Sequence, residues 1–172
     1  MSRQRSTHSR VWPTPSPRSS RRSRRRTGET PDEHHLDLAL DEAEAILAHG
    51  RSAAETLGLA VSIAVVDASG HLVALARMDG ARWLSTDTAI GKAFTAAAYA
   101  EPSAAQGDKA RSLPQFATAL SAMTAGRYVP QVGGLPVLRQ GRCVGGVGAS
   151  GATGEQDEEI VRRALAAAVT SG

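Results

Sequence analysis

The 172 residues carry a formal charge of +3 and a single cysteine, Cys143, which excludes an intramolecular disulfide framework and fits one folded domain with a tail. Nine arginines and one acid, Glu29, fall within residues 1–30, leaving 11 basic against 16 acidic groups in residues 31–172. A basic nucleic-acid-binding face is therefore not expected on the folded part, and no apolar run reaches the length of a membrane helix.

Residues 1–30 are rich in Arg, Ser and Pro and bury too little apolar surface to order themselves, so they are expected to form a disordered tail. The tail reads either as a weak, salt-dependent contact to acidic surfaces or nucleic acid, or as a solvated extension. Arg21-Arg22 and Arg24–Arg26 look like the charged part of an export leader. However, polar residues 27–35 follow where an apolar segment belongs, so a cytoplasmic location is expected.

The folded part is expected to span residues 31–172. Pro31 and Asp32 open a helix whose stripe is Leu36, Leu40, Ala43 and Leu47. It runs to about Leu57, where Gly58 ends it, and Gly50 inside it costs about 1 kcal/mol against alanine. Val61–Val66 is then a β-branched strand, Asp67–Gly70 a turn, and His71–Met78 the antiparallel return. Ser85 or Thr86 caps an alanine-rich helix from about Asp87 to Tyr99, carrying Ile90 and Phe94. A second amphipathic segment, Leu113 to Thr124, carries Phe116, Leu120 and Met123.

Gly133–Leu138 is a strand, Arg139–Arg142 its turn, and Cys143–Ala149 the returning strand. Thr153 and Gln156 make a capping box for a last helix, Glu155–Val169. The order is helix, hairpin, two helices, hairpin, helix. That predicts an α+β fold with an antiparallel sheet built from two hairpins and flanked by helices, not a doubly wound parallel fold. Only six aromatics occur in the chain. A small-residue core buries less area per side chain, so a homo-oligomer is expected to add burial at its interface.

Gly146-x-Gly148-x-x-Gly151 has the spacing of a dinucleotide fingerprint but not its context, which needs a second strand and an acid about 20 residues on. Only one helix is expected between it and Gly172, and Asp157, Glu158 and Glu159 in its first turn would repel a pyrophosphate. No NAD site is expected. Nor does the chain contain a His-Glu-x-x-His or cysteine cluster for structural zinc, a Gly-x-Ser-x-Gly elbow around Ser150, a phosphate loop, or a Cys-x-x-Cys-His for covalent heme.

Five motifs in order resemble a known family: Val65–Val73; Arg77–Ala81; Ala89–Ala93 with Thr95 and Ala96; Gly133–Val137; and Val144–Gly151 with Asp157 and Glu158. Together they are similar to the GlcG/HbpS family, which includes the C-terminal domain of PduO-type proteins, over about residues 36–170. The resemblance implies a single profilin-like α+β domain that assembles into oligomers. It also implies noncovalent binding of heme in some members and no settled activity in others.

Candidate site residues follow from both readings. Arg77 alternates with Val73 and Leu75; on a buried face it needs Asp79 or a ligand carboxylate as partner. Lys92 sits among alanines, where a solvated position is the plain reading. It matches the family's recurring lysine, so the resemblance implies a pocket role: pairing a heme propionate or substrate carboxylate, or serving as the catalytic base if the protein is an enzyme.

Gly133 and Gly134 either let a flat ligand approach closely or make a tight bend, and Asp67, Gly70 and Gly80 read as turn residues. No axial heme ligand stands out: His71 follows a turn and is expected exposed, His34, His35 and His49 lie on the first helix, and Met78 and Met123 read as core.

The expected function is noncovalent binding of heme, or a similar flat carboxylate-bearing small molecule, by an oligomer. The alternatives are a small cofactor-independent enzyme acting on a carboxylate metabolite through Lys92, and an accessory or assembly partner of a metabolic enzyme.

Overall fold

The computed structural model describes residues 38–170; the tail, His34, His35 and the predicted helix start at Pro31 lie outside them. The described elements are α1 (Leu40–Thr56), β1 (Ser62–Asp67), β2 (Leu72–Arg77), α2 (Ser85–Tyr99), α3 (Ala105–Ser112), α4 (Pro114–Met123), β3 (Gly134–Arg139), β4 (Arg142–Ser150) and α5 (Gly154–Thr170). The two hairpins join through an antiparallel β1–β4 pairing into one sheet of order β2-β1-β4-β3. The expected α+β architecture is what forms.

The sheet has a different neighbour on each face. Ile63, Val65, Val147 and Ala149 face α1 and α5, where they meet Ala43, Ile46, Leu47, Ile160, Val161 and Ala164 in the main core. On the other face α2 lies across β4, β1 and β3 but barely reaches β2. Glycines set its distance. A Cβ on Gly134, Gly146 or Gly148 would fall inside 3.0 Å of the α2 carbonyls of Lys92, Ala93 and Ala89 respectively. Two of the three glycines that imitate a nucleotide fingerprint, Gly146 and Gly148, therefore serve helix-on-sheet packing, and Gly151 lies against Ala60 and Val61.

Several expectations are corrected. The first helix begins at Leu40, because Ala39 is extended (φ −75, ψ 156) and Leu38 precedes it outside the helix. Leu40 is exposed, and Ile46 completes the buried stripe instead. Gly50 is buried where a Cβ would sit 2.8 Å from Ile63 Cδ1, so the small residue belongs to the α1–β1 contact. Neither Ser85 nor Thr86 caps α2. The Ser85 hydroxyl instead donates to Arg82 O and meets Ser62 Oγ at 2.8 Å.

Three helices, not two, separate the hairpins. α3 (AQGDKARS) escapes a periodicity reading because it has almost no apolar residue to mark a face. α4 buries no residue at all, and Phe116 (46% exposed) and Met123 (76%) stand in the open rather than in the core. The capping box of α5 forms as expected: Thr153 N donates to Gln156 Oε1 at 3.1 Å, and Gln156 N to Thr153 Oγ1 at 3.3 Å.

Candidate functional site

Lys92 projects from the face of α2 that packs on the glycine strip, so its side chain runs between α2 and the start of α5. Its Nζ donates to Asp157 Oδ2 at 2.8 Å and to Ala149 O at 2.9 Å. Asp157 is fixed from the other side by Ala152 N, which donates to its Oδ1 at 3.1 Å. Burying a charge is costly unless it is paired and hydrogen-bonded, and here both conditions hold. The pair ties α2, β4 and α5 together at one point.

Gly133 and Gly134 make room for it. A Cβ on Gly133 would lie 2.8 Å from Lys92 Nζ and 2.8 Å from Asp157 Cβ, and its φ of +117 is open to glycine. Gly133 O accepts Ala149 N at 2.9 Å, holding the loop to β4. Of the two readings of these glycines, a flat-ligand approach or a tight bend, the positive φ of Gly133 suits the bend, and the space beside them holds the Lys92 side chain and the α2 backbone.

Above the pair opens a cleft of about 390 Å³, bordered by Thr88, Gln131, Val132, Ser150 and Glu155 with Lys92 and Asp157 at its floor. A hollow of about 200 Å³ shares Thr88, Ser150 and Ala152 with it and adds Arg82 and Leu84. Leu84 (54% exposed) brings apolar surface to this hollow, and Trp83 (72% exposed) stands between Arg82 and Leu84 in the chain. The lining offers hydroxyl, amide and carboxylate groups but no histidine, cysteine or methionine. No cluster of three or more His, Cys, Asp or Glu that could hold a metal occurs among the described residues.

The other two candidates are elsewhere. His71 is exposed in the β1–β2 turn, its Nδ1 3.5 Å from Asp67 Oδ2, while Asp67 Oδ1 accepts the N–H of Ser69 and His71. Phe94 packs under Gly70 (φ +78) of the same turn, with the Arg127 guanidinium 4.4 Å from its ring centre. Arg77 ends β2 in an exposed position and borders a separate hollow of about 450 Å³ with Arg51, Glu55 and Asp79. At about 3.3 Å per strand residue, His71 and Arg77 stand roughly 20 Å apart.

The structure thus brings Lys92, Gly133 and Gly134 together and leaves His71 and Arg77 apart. Asp157 is the partner that the sequence hides. By its position it reads as first-turn charge, whereas its burial at 2% shows that it faces inward. Ala152 and Asp157 bracket the capping box, the one local signal that places the α5 start.

Comparisons with known proteins agree with this architecture. The family described as "Haem degrading protein HbpS-like" matches residues 38–166. Protein GlcG of Escherichia coli K12 is 34% identical over 113 residues, 66% of this chain and 81% of GlcG. The chain also matches 39% of the length of the corrinoid adenosyltransferase PduO of Citrobacter freundii, at 32% identity. Among solved structures, a double mutant of HbpS from Streptomyces reticuli is 33% identical, with a TM-score of 0.65 over 90% of this chain and 98% of that one. The PduOC:heme complex is 29% identical, with a TM-score of 0.68 over 76% and 94%. With a family match across nearly all the described residues and folds that superpose on it, the chain belongs to the HbpS-like family.

Proposed function

We propose that this protein binds heme noncovalently, as an oligomer, at the mouth formed by Arg82, Trp83, Leu84 and the adjoining Lys92 cleft. The observation that carries the reading is the likeness to the PduOC:heme complex over 94% of that chain, together with the HbpS-like family match. The local chemistry suits the porphyrin's periphery. Trp83 and Leu84 offer apolar surface for the ring. The side chain of Arg82 makes no ion pair with a described acid, which leaves it open to a propionate.

Lys92 holds the floor of this site through Asp157, with Gly133 and Gly134 giving it room. Lys92 is engaged by Asp157 and Ala149 O, so the donors the lining leaves for an iron are oxygens, the Ser150 and Thr88 hydroxyls among them. Bound heme would supply redox and ligand-binding chemistry at its iron. The protein's own part is to position the ring and neutralise its carboxylates.

The oligomeric part of the reading rests on exposed apolar surface: α4 buries none of its residues, and Leu113 and Met123 are each more than half exposed. No described helix is long and apolar enough to cross a membrane. Titration of the full chain with hemin tests the binding, with a saturable, shifted Soret band as the expected result. Arg82→Ala should weaken it about tenfold, the loss of one charge-assisted contact of about 1.4 kcal/mol. An unsaturable response would overturn the reading.

A second reading is favoured by one observation, the fully buried Lys92–Asp157 pair beneath a polar cleft. In a small enzyme acting on a carboxylate metabolite, Lys92, already donating to two oxygens, would serve as an electrostatic anchor. Turnover of a carboxylate substrate by hemin-free protein, lost in Lys92→Met, would establish that reading.

A further inference from the structure

Arg51, Glu55, Arg77 and Asp79 border one hollow of about 450 Å³ between the end of α1 and the end of β2, with Ala76 and Met78 in its wall. Among the described residues none of these four charged side chains makes an ion pair. Two cations and two anions that share a hollow would ordinarily neutralise one another, so their separation needs a cause.

The direction of the chain supplies it. Leu38, just ahead of α1, lies by Gly145, which pairs with Asp67 at the end of β1. Gly50 lies by Ile63, near the start of β1 and paired with Ala76. α1 therefore runs antiparallel to β1 and in the same direction as β2. Arg51 follows Gly50 and Arg77 follows Ala76, so the two arginines stand level. Glu55 is about 6 Å farther along the helix, and Asp79 about 7 Å farther along the chain leaving β2, so the two acids stand level as well. Like charges face each other across the hollow. Within α1, Arg51 precedes Glu55, the less favourable order for a pair four residues apart.

We propose that this hollow binds a small ω-amino carboxylate. Its carboxylate lies between Arg51 and Arg77, its ammonium between Glu55 and Asp79, and its methylene chain over Ala76 and Met78. A simple anion would meet the arginines within reach of two repelling carboxylates, and a simple cation would meet the reverse. A ligand with opposite charges at its two ends satisfies both poles. Guanidinium groups suit the carboxylate end because each offers two parallel N–H donors. Ala76 and Met78 are partly buried and pack on the main core, so the strip between the poles is apolar and held by the sheet. Each charged contact is exposed and individually weak; binding draws on all four together.

The hollow shares no lining residue with the Lys92 cleft, and the proposal does not rest on heme. Met78 provides a reporter inside it. Methionine-methyl NMR of the full chain, titrated with γ-aminobutyrate, should show a saturable shift of the Met78 signal, with Met123 on α4 unmoved. Met78→Leu assigns the signal. Butyrate and butylammonium carry one charge each and should bind at least about tenfold more weakly.

Two variants locate the poles, both at exposed positions. Arg77→Gln should weaken γ-aminobutyrate about tenfold, and Glu55→Gln should reduce it to the affinity of butyrate. An unmoved Met78 signal would overturn the site. Equal affinity for the three probes in the wild type, or undiminished γ-aminobutyrate binding in either variant, would overturn the assignment of a ligand with two opposite charges.

Discussion

The Lys92 ammonium and the Asp157 carboxylate meet at 2.8 Å with side chains only 5% and 2% exposed, 65 residues apart in sequence. Removing one member leaves the other buried and unpaired, a loss of about 3–5 kcal/mol. Lys92→Met and Asp157→Leu should each lose that much stability in urea unfolding. The double variant should recover most of it, since two apolar groups leave no orphaned charge. Additive losses would mean that the pair is not coupled.

The glycine strip makes a second prediction. A Cβ on Gly148 would lie 2.6 Å from Ala93 N and closer still to Ala89 O, both backbone atoms of α2. Gly148→Ala must push the helix off the sheet and should cost about 3 kcal/mol. Gly58→Ala meets nothing within 4 Å and suffers only its φ of +66, about 1–2 kcal/mol. The reverse ranking in thermal unfolding would contradict the packing described.

Loss of the α5 cap should be smaller. Thr153→Ala removes the hydroxyl that accepts Gln156 N and should cost about 1 kcal/mol. Thr153→Ser retains an oxygen there and should stay within a few tenths of wild type. Equal losses in denaturant titrations of the two variants would rule out the cap as the cause.

Alkaline pH should act through Tyr128. Burial first, and the neighbouring Tyr99 phenol second, raise its pKa above the usual 10.0. The folded state then keeps a proton that the unfolded chain gives up. Stability is full while both states hold the proton, below the unfolded value of 10.0, and is lost as pH rises through it, because burial disfavours the phenolate. The midpoint temperature should drop between pH ~9 and ~11, and Tyr128→Phe should flatten part of the drop. An unchanged slope in that variant would place the titration elsewhere.

The hairpins were legible because β-branched runs bounded by turn residues have few other readings. Asp67 to Gly70 form a hydrogen-bonded turn, and Gln140 and Gly141 both take positive φ in the second. α3 was not legible, because its fold depends on contacts that leave no apolar period. Met123 and Phe116 obeyed the period of a packed helix, yet Met123 is 76% and Phe116 46% exposed, with α3 beside Phe116 through the Lys109 ammonium 5.7 Å from its ring centre. The alternation that put Arg77 on a face with Val73 also failed, since the irregularity at Val65/Val66 separates Val73 from that face. At the site, Lys92 was visible, but the 65-residue separation hid Asp157; Gly133 and Gly134, read as either a ligand approach or a tight bend, lie against Lys92 and Asp157.

Native mass spectrometry of the hemin-treated full chain tests the central claim most directly. The expected result is an oligomer carrying an integral number of hemes, with no more than one per subunit, all of which dissociate under denaturing conditions. A monomer, or a protein whose mass hemin leaves unchanged or raises by a broad unsaturated series, would contradict it.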